Sequence, residues 1–159
     1  MLKIGNLELK VPFIQAPLSG YSDYAMRRLA LDFGAPLTFA GVMLAKSAAH
    51  PKILRKPSFQ PHEDEHPVGA QIFDNDMAMM VKAAKDLQNA GYDIIDLNFS
   101  CPTPKVVSRK RGGWMMNDPD NVLETYKRVR EVVTCPLTIK VRIGFDSSEQ
   151  SKDYFYEIV

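Results

Sequence analysis

The sequence predicts an α/β fold of the TIM (β/α)8-barrel type, truncated to about the first five β/α units. Strand and helix patterns alternate along the chain, which is typical of parallel β/α units. Polar or unusual residues follow several strand ends, at residues 17–19, Gln71, residues 98–101 and residues 140–142. In a barrel all these ends meet at one mouth. No G-x-G-x-x-G follows the first strand, which disfavours a doubly wound dinucleotide-binding sheet.

The length agrees with a partial barrel. A complete barrel takes ~250 residues, so five of its eight units need roughly 156. The chain has 159 residues. We therefore expect residues 1–159 to form the N-terminal portion of a barrel, with its C-terminal strands absent.

Turn and capping residues predict the elements of the N-terminal half. Ser22 or Asp23 can cap a helix that ends at Gly34. Repeated prolines make residues 51–67 irregular, with room for one helical turn. The other expected elements are a hairpin over residues 2–9, strands over residues 11–16 and 36–40, and an apolar helical stretch over residues 42–49.

The C-terminal half has clearer periodicity. Residues 74–76 can cap a helix that ends at Gly91, and Asp118 followed by Pro119 is typical of a helix start. The expected strands cover residues 68–73, 93–98 and 136–142, and a last helix begins at Ser151.

Composition indicates an ordinary globular domain. Hydrophobic residues make up 45% of the chain, and 20 basic against 19 acidic residues give a net charge of +1. This balance neither requires nor excludes a nucleic-acid partner. Two cysteines are too few for a disulfide framework. The first residues lack the long apolar core of a signal peptide, and no apolar run approaches ~20 residues. We therefore expect a cytoplasmic protein that does not enter the membrane.

Cys101 is the first candidate for chemistry. It follows the strand of residues 93–98, and Pro102 cannot continue a ladder because it has no N–H. A loop cysteine at a barrel mouth can act as a general acid or a nucleophile. The alternative is a small residue in a tight turn. Cys135 begins a strand, where a packing role is expected.

Lys140, Gln71 and Asn98 are the other candidates within strands. A lysine inside a barrel needs an anionic or electron-rich partner such as a flavin, whereas a lysine on an exposed edge strand needs none. Amides at strand ends suit the polar edges of a flavin or pyrimidine. Each amide can instead bond to neighbouring backbone.

Two further sequence patterns are weaker evidence for a binding site. The basic residues Lys105, Arg109, Lys110 and Arg111 can bind RNA phosphates or form a solvated loop. His62 and His66 flank acidic residues, but prolines on both sides prevent a helix that would bring them together. We therefore expect no metal site.

Five motifs together resemble the tRNA-dihydrouridine synthase family. They are residues 16–23 (APLSGYSD), 68–72 (VGAQI), 96–102 (DLNFSCP), 112–113 (GG) and 138–144 (TIKVRIG). Their order and spacing agree over nearly the whole chain. The resemblance implies an FMN-dependent barrel that reduces the C5–C6 bond of uridine in tRNA, with NADPH as the hydride source.

The resemblance also implies a role for each matched position. Pro17, Leu18 and Ser19 would line the flavin, and Gln71 and Lys140 would bind its isoalloxazine ring. Asn98 and Arg142 would contact the substrate. Cys101 would be the general acid that gives a proton to C5 after hydride reaches C6. The family's C-terminal strands, phosphate-binding loops and helical tRNA-binding domain are expected to be absent.

Two differences from the family keep alternatives open. Ser100 stands where the family usually has glycine, so residues 98–102 are also similar to dihydroorotate and dihydropyrimidine dehydrogenases, FMN barrels that act on free pyrimidines. The second strand lacks the acidic residue expected from the resemblance. Another class of function is a non-catalytic half-barrel that binds a partner or self-associates through open sheet edges. Because the C-terminal strands and phosphate-binding loops are expected to be absent, we expect weak FMN binding and no turnover from these residues alone.

Overall fold

The computed structural model describes residues 1–56 and 59–159, which begin with a small hairpin. Strands β1 (Leu2–Ile4) and β2 (Leu7–Leu9) pair antiparallel, as expected, and Gly5 turns the chain between them at φ 58°. A Cβ at Gly5 would come within 3.0 Å of the Pro136 ring. The hairpin therefore packs beside the start of the last strand of the main sheet.

A parallel sheet follows the hairpin. Its strands are β3 (Thr38–Phe39), β4 (Met43–Leu44), β5 (Val68–Phe73), β6 (Ile94–Asn98) and β7 (Leu137–Lys140). β3 and β4 pair one after the other along one edge of β5, β6 pairs along its other edge, and β7 pairs with β6. Helices connect β4 to β5, β5 to β6 and β6 to β7, whereas residues 40–42 join β3 to β4 without a helix. This confirms the predicted α/β class and is consistent with a partial TIM barrel, and within residues 1–56 and 59–159 the sheet does not close.

Capping side chains mark where the longer helices begin. Asp23, Asp76, Asp118 and Ser148 each accept a hydrogen bond from the backbone N–H three residues later. These bonds satisfy N–H groups that have no partner inside the helix. The helices are α1 (Tyr24–Asp32), α2 (Ala45–Ala48), α3 (Pro51–Leu54), α4 (Met77–Asn89), α5 (Pro104–Val107), α6 (Pro119–Val132) and α7 (Glu149–Ile158), with a 3-10 helix at Gly112–Asn117.

The core lies between the helices and one face of the sheet. Met80, Ala84 and Leu87 lie on one face of α4 and are fully buried, together with Ile95 and Leu97 of β6. Successive strand residues point to opposite faces. The alternate residues of β6 therefore face the other, concave side, where Leu9, Leu37, Phe39 and Ile94 form a second, smaller apolar cluster.

The structure differs from the sequence prediction at three places. Residues 11–16 do not form a strand, because Pro12 and Pro17 lack N–H groups. The segment is held beside β3 by the Gln15 N–H, which donates to the Leu37 carbonyl at 3.1 Å, and by the Phe39 N–H, which donates to Gln15 Oε1 at 3.0 Å. Residues 42–49, for which a helix is expected, begin with the strand β4, and only Ala45–Ala48 form the helix α2. The last helix begins at Glu149 because Ser148 is its cap. Residues 51–67 are irregular apart from short helical turns, and residues 57 and 58 lie outside the described part.

In the described part of the chain, the helices are too short and too polar to cross a membrane.

Candidate functional site

The concave face of the sheet carries a row of polar side chains. In the parallel register Gln71 lies beside Asp96, Asp96 beside Thr138, and Asn98 beside Lys140. Because side chains alternate along each strand, all five point to the same side. Residues from three strands that are far apart in the sequence thus meet on one surface.

Hydrogen bonds join these polar groups into a network. Gln71 Nε2 donates to Asp96 Oδ2 at 2.6 Å, and Asn98 Nδ2 donates to Gln71 Oε1 at 2.8 Å. Thr138 Oγ1 donates to Asp96 Oδ1 at 2.5 Å. These bonds fix which way the Gln71 amide faces and leave one of its N–H groups for a ligand. The predicted alternative of a bond to neighbouring backbone is not what Gln71 makes.

Asp96 is the acidic group at the centre of this network. Burial raises the pKa of the Asp96 carboxyl above its usual value of 3.8, while the hydrogen bonds from Thr138 and Gln71 and the charge of Lys140 oppose that rise. A carboxylate that accepts two such bonds holds both donors in place. Asp96 therefore orients Gln71, whose amide borders the cavity described next.

A cavity of about 290 Å³ opens on this face. Its polar wall consists of Gln71, Asp96, Thr138 and Lys140, and Pro17 lies at its border. Its apolar wall comes from the hairpin, the irregular first segment, residues 37–39 and β6, and includes Ile4, Ile14, Leu37, Phe39 and Ile94. A concave apolar space with a few converging polar groups is the usual form of a small-molecule site.

The Cys101 loop begins directly after β6. Asn98 Oδ1 accepts the backbone N–H groups of Ser100 and Cys101 at 3.0 and 3.1 Å, which is the turn geometry typical of asparagine. Cys101 Sγ lies 3.2 Å from Thr103 Oγ1, and the Cys101 thiol is partly exposed. Asn98 therefore links the concave network to the loop that carries the thiol.

Lys140 and Cys101 lie at the same end of the sheet. Lys140 is the last residue of β7, and its carbonyl accepts the N–H of Phe99, two residues before Cys101. The Lys140 side chain is exposed and also borders the cavity. It therefore combines the two predicted alternatives, a lysine on an exposed edge strand and a lysine that faces a ligand. Arg142 packs near Gly113: a Cβ at Gly113 would lie 3.3 Å from Arg142 Cδ and 3.1 Å from the Cys101 carbonyl oxygen.

The structure brings together most, but not all, of the predicted site residues. Pro17, Gln71 and Lys140 border the cavity, and Asn98, Cys101 and Arg142 lie around the adjoining loop. Leu18 and Ser19 are exposed and do not line the cavity. Leu18 instead contributes its backbone N–H to Ser22 Oγ at 2.7 Å.

Three residues with structural roles at the site were not among the predicted site residues. Asp96 and Thr138 belong to the concave network, and the alternation of polar and apolar residues along residues 93–98 was the available signal for Asp96. Ser22 was expected only as a possible helix cap, but it bonds Gln15 Nε2 at 3.0 Å as well as Leu18. No local pattern pointed to that bond.

Two residues of the basic run and the histidines His62 and His66 contact acidic or aromatic side chains. Arg111 pairs with buried Asp74, while Lys110 lies 5.1 Å from the centre of the Trp114 ring. His66 Nδ1 lies 2.6 Å from Asp93 Oδ2, and His62 stacks on Tyr24. Across residues 1–56 and 59–159, no group of three or more His, Cys, Asp or Glu side chains has a metal-binding arrangement.

Comparison with known proteins gives one consistent result. The family model described as "Dihydrouridine synthase (Dus)" matches residues 14–159. The chain is 33% identical over 153 residues to a probable tRNA-dihydrouridine synthase of Rickettsia conorii, covering 95% of the chain and 46% of that protein. It is 32% identical over 151 residues to the tRNA-dihydrouridine synthase B of Vibrio cholerae, covering 94% and 47%. The chain thus spans about half the length of these curated relatives.

Proposed function

The chain belongs to the dihydrouridine synthase family, and from this premise we propose that it supplies the flavin and uridine pocket of an enzyme that reduces uridine in tRNA. The proposal includes FMN as the bound cofactor and NADPH as the hydride source. The observation that carries it is the register of β5, β6 and β7, which lines up Gln71, Asp96 and Lys140 beside one cavity at the foot of the Cys101 loop.

The cavity suits a flavin ring in its chemistry. An isoalloxazine ring has an apolar end and a polar edge with alternating donors and acceptors. The cavity offers apolar side chains on one wall and the remaining Gln71 N–H and the Lys140 ammonium group on the other. Its volume of about 290 Å³ is at the lower end of the ~300–1,000 Å³ usual for ligand sites. We propose that Pro17, Gln71 and Lys140 hold the ring.

Each residue has a distinct task in the proposed reaction. When bound, FMN supplies hydride chemistry for the C6 carbon of the uracil ring. Lys140 places positive charge at the cofactor's polar edge, and Gln71 orients that edge through its fixed amide. Cys101 donates the proton that C5 requires and is left as a thiolate. Asn98 and Arg142 position the base, and Asn98 also holds the Cys101 backbone through its side-chain oxygen.

FMN titration tests the cofactor half of this proposal. Flavin fluorescence is followed as the 159-residue chain is added, and we expect weak but saturable binding. Lys140→Met should weaken the affinity by about tenfold, the equivalent of about 1.4 kcal/mol. The matched control is Lys127→Met, because Lys127 is an exposed lysine on α6, away from the cavity. Equal affinities for the two variants would remove Lys140 from the cofactor site.

A complementation assay tests the reaction half. We propose that the 159 residues alone do not turn over, so the chain is mixed with the C-terminal half of one of its relatives and assayed for uridine reduction in tRNA with NADPH. Cys101→Ala should abolish the rate, whereas Cys135→Ala should leave it within a few fold. A Cys101→Ala variant that retains the rate would rule out the thiol as proton donor.

A second candidate substrate is a free pyrimidine. It is favoured by Ser100, whose hydroxyl bonds Asn98 Oδ1 at 3.2 Å beside the thiol. In the same assay, uracil or orotate replaces tRNA, because both compounds have the C5–C6 double bond that is reduced. Turnover of the free compound without turnover of tRNA would favour this second function.

A further inference from the structure

The ion pair between Asp74 and Arg111 is not explained by the roles given so far. Asp74 follows the end of β5, and its side chain is 1% exposed. Arg111 Nε lies 2.7 Å from Asp74 Oδ1, and the Arg111 side chain is 19% exposed. Within residues 1–56 and 59–159, the other three members of the basic run, Lys105, Arg109 and Lys110, make no ion pair.

Asp74 is itself firmly held. Its Oδ1 accepts the backbone N–H of Asn75 at 2.9 Å, and its Oδ2 lies 3.4 Å from the backbone N of Lys46 at the start of α2. Arg111 Nε also reaches Asn75 Oδ1 at 3.2 Å. The Arg111 Nε–H thus donates to Asn75, and the guanidinium faces Asp74 as an ion pair. Solvent screens a pair with a buried carboxylate much less than it screens an exposed pair. Arg111 is therefore tied through its Nε to the end of β5.

Arg111 is also close to the thiol through the backbone. It directly precedes the 3-10 helix Gly112–Asn117, and the Gly113 N–H donates to the Cys101 carbonyl at 2.9 Å. A Cβ at Gly112 would lie 3.0 Å from Cys101 Cβ, so the two backbones are in close contact. Any shift of Arg111 is transmitted to Cys101.

The turn just before Arg111 fixes the direction in which the Arg111 side chain leaves α5. Lys110 has φ 54°, in the left-handed region that residues other than glycine seldom adopt. A non-glycine residue stays there only where its surroundings impose the conformation. Two backbone bonds impose it here: the Lys110 N–H donates to the Val107 carbonyl at 2.9 Å and the Arg111 N–H to the Val106 carbonyl at 3.2 Å, a pattern typical of a helix end. The Arg111–Asp74 pair and the approach of Lys110 Nζ to the Trp114 ring hold the side chains that leave this turn.

We propose that the Asp74–Arg111 pair is a clamp that positions the Cys101 loop against the end of β5. Arg111 is then a positioning residue that acts through the backbone of Gly112 and Gly113. The catalytic meaning of the clamp rests on the proposed function, in which the Cys101 thiol is the proton donor. The existence of the clamp does not depend on that function.

Alkylation of the two cysteines tests the clamp. The 159-residue chain is treated with iodoacetamide, and the rate at Cys101 and at Cys135 is followed separately by peptide mass spectrometry. Arg111→Met should free the loop and speed alkylation at Cys101 by about tenfold, which corresponds to about 1.4 kcal/mol. Asp74→Asn should have the same effect, and the double variant should add little, because both changes break one interaction.

Two controls separate positioning from a general loss of stability. Arg109→Met removes an exposed arginine of the same run and should leave the Cys101 rate unchanged. Cys135 lies two residues before β7, so global unfolding would speed alkylation of both cysteines, whereas loss of the clamp should speed alkylation of Cys101 alone. If Arg111→Met speeds both, Arg111→Lys is tested instead. It keeps the charge beside Asp74 but not the planar guanidinium, and should speed Cys101 alone.

The proposal is overturned if no Arg111 or Asp74 variant speeds Cys101 relative to Cys135, or if Arg109→Met has an equal effect. The alkylation assay needs neither flavin nor RNA, so its failure leaves the FMN titration unaffected. Conversely, if alkylation changes as expected but FMN does not bind, the clamp is supported and only its proposed role in catalysis is ruled out.

Discussion

Glu65→Gln should cost a large part of the protein's stability. Glu65 and Arg27 are both fully buried, and two Arg27 nitrogens donate to the two Glu65 oxygens at 2.7 and 2.9 Å. The remaining terminal nitrogen donates to the Ser22 carbonyl at 3.0 Å. Ser22 in turn holds Leu18. The pair therefore joins the segment before β5 to the loop of residues 17–22 beside the cavity.

The size of the effect follows from the burial. Removing one partner of a buried ion pair costs about 3–5 kcal/mol, because the other charge is left without compensation in a medium of low polarity. Glutamine preserves the shape of Glu65 but has one oxygen and one NH2 group, so it can accept only one of the two arginine bonds and carries no compensating charge. The total free energy of unfolding of a domain of this size is about 5–15 kcal/mol. We expect Glu65→Gln to lose at least about 3 kcal/mol of unfolding free energy.

Urea unfolding, followed by the fluorescence of the single tryptophan Trp114, measures this loss. The matched control is Glu124→Gln, because Glu124 also bonds an arginine, Arg128, but both side chains are about half exposed. Exposed pairs contribute little, and we expect no clear change. A Glu65→Gln loss no larger than that of Glu124→Gln would refute the reasoning. The double variant Arg27→Met with Glu65→Leu should recover most of the loss.

Two further predictions concern the sheet. Burial raises the pKa of Asp96 in the native state. As the pH rises from about 4 through this raised pKa, the native state keeps a proton at Asp96 that the unfolded chain has already lost. The free energy of unfolding therefore falls over this pH range. Asp96→Asn should flatten that fall in urea unfolding measured from about pH 4 to 7, and an unchanged pH profile would contradict it. Gly69→Ala should cost about 1–3 kcal/mol, because its Cβ would lie 2.3 Å from the Phe39 ring. Adding Phe39→Leu should relieve part of the cost, and thermal or urea unfolding of the three variants would show whether it does.

Local signals were sufficient for much of the fold. The strand of residues 68–73 and the helix capped by Asp76 have the bounds expected from β-branched runs, capping residues and glycine stops. These features depend on neighbours within a few positions in the sequence. Residues 11–16 show the limit of such signals, because an extended, apolar segment becomes a strand only when another strand is aligned with its N–H and C=O groups.

The motif residues Gln71, Asn98, Cys101 and Lys140 were identified from the sequence as a set, and the family they indicate is confirmed. Their arrangement depended on the register of β5, β6 and β7, since one residue of slippage would turn Asp96 and Asn98 to the helix side. The partners of Asp74 and Arg27 are more than 30 positions away, and nothing near either residue indicates which opposite charge it meets. The sequence specifies the chemistry of each side chain directly, whereas the burial of a side chain and its partners are determined only when distant segments pack together and exclude water.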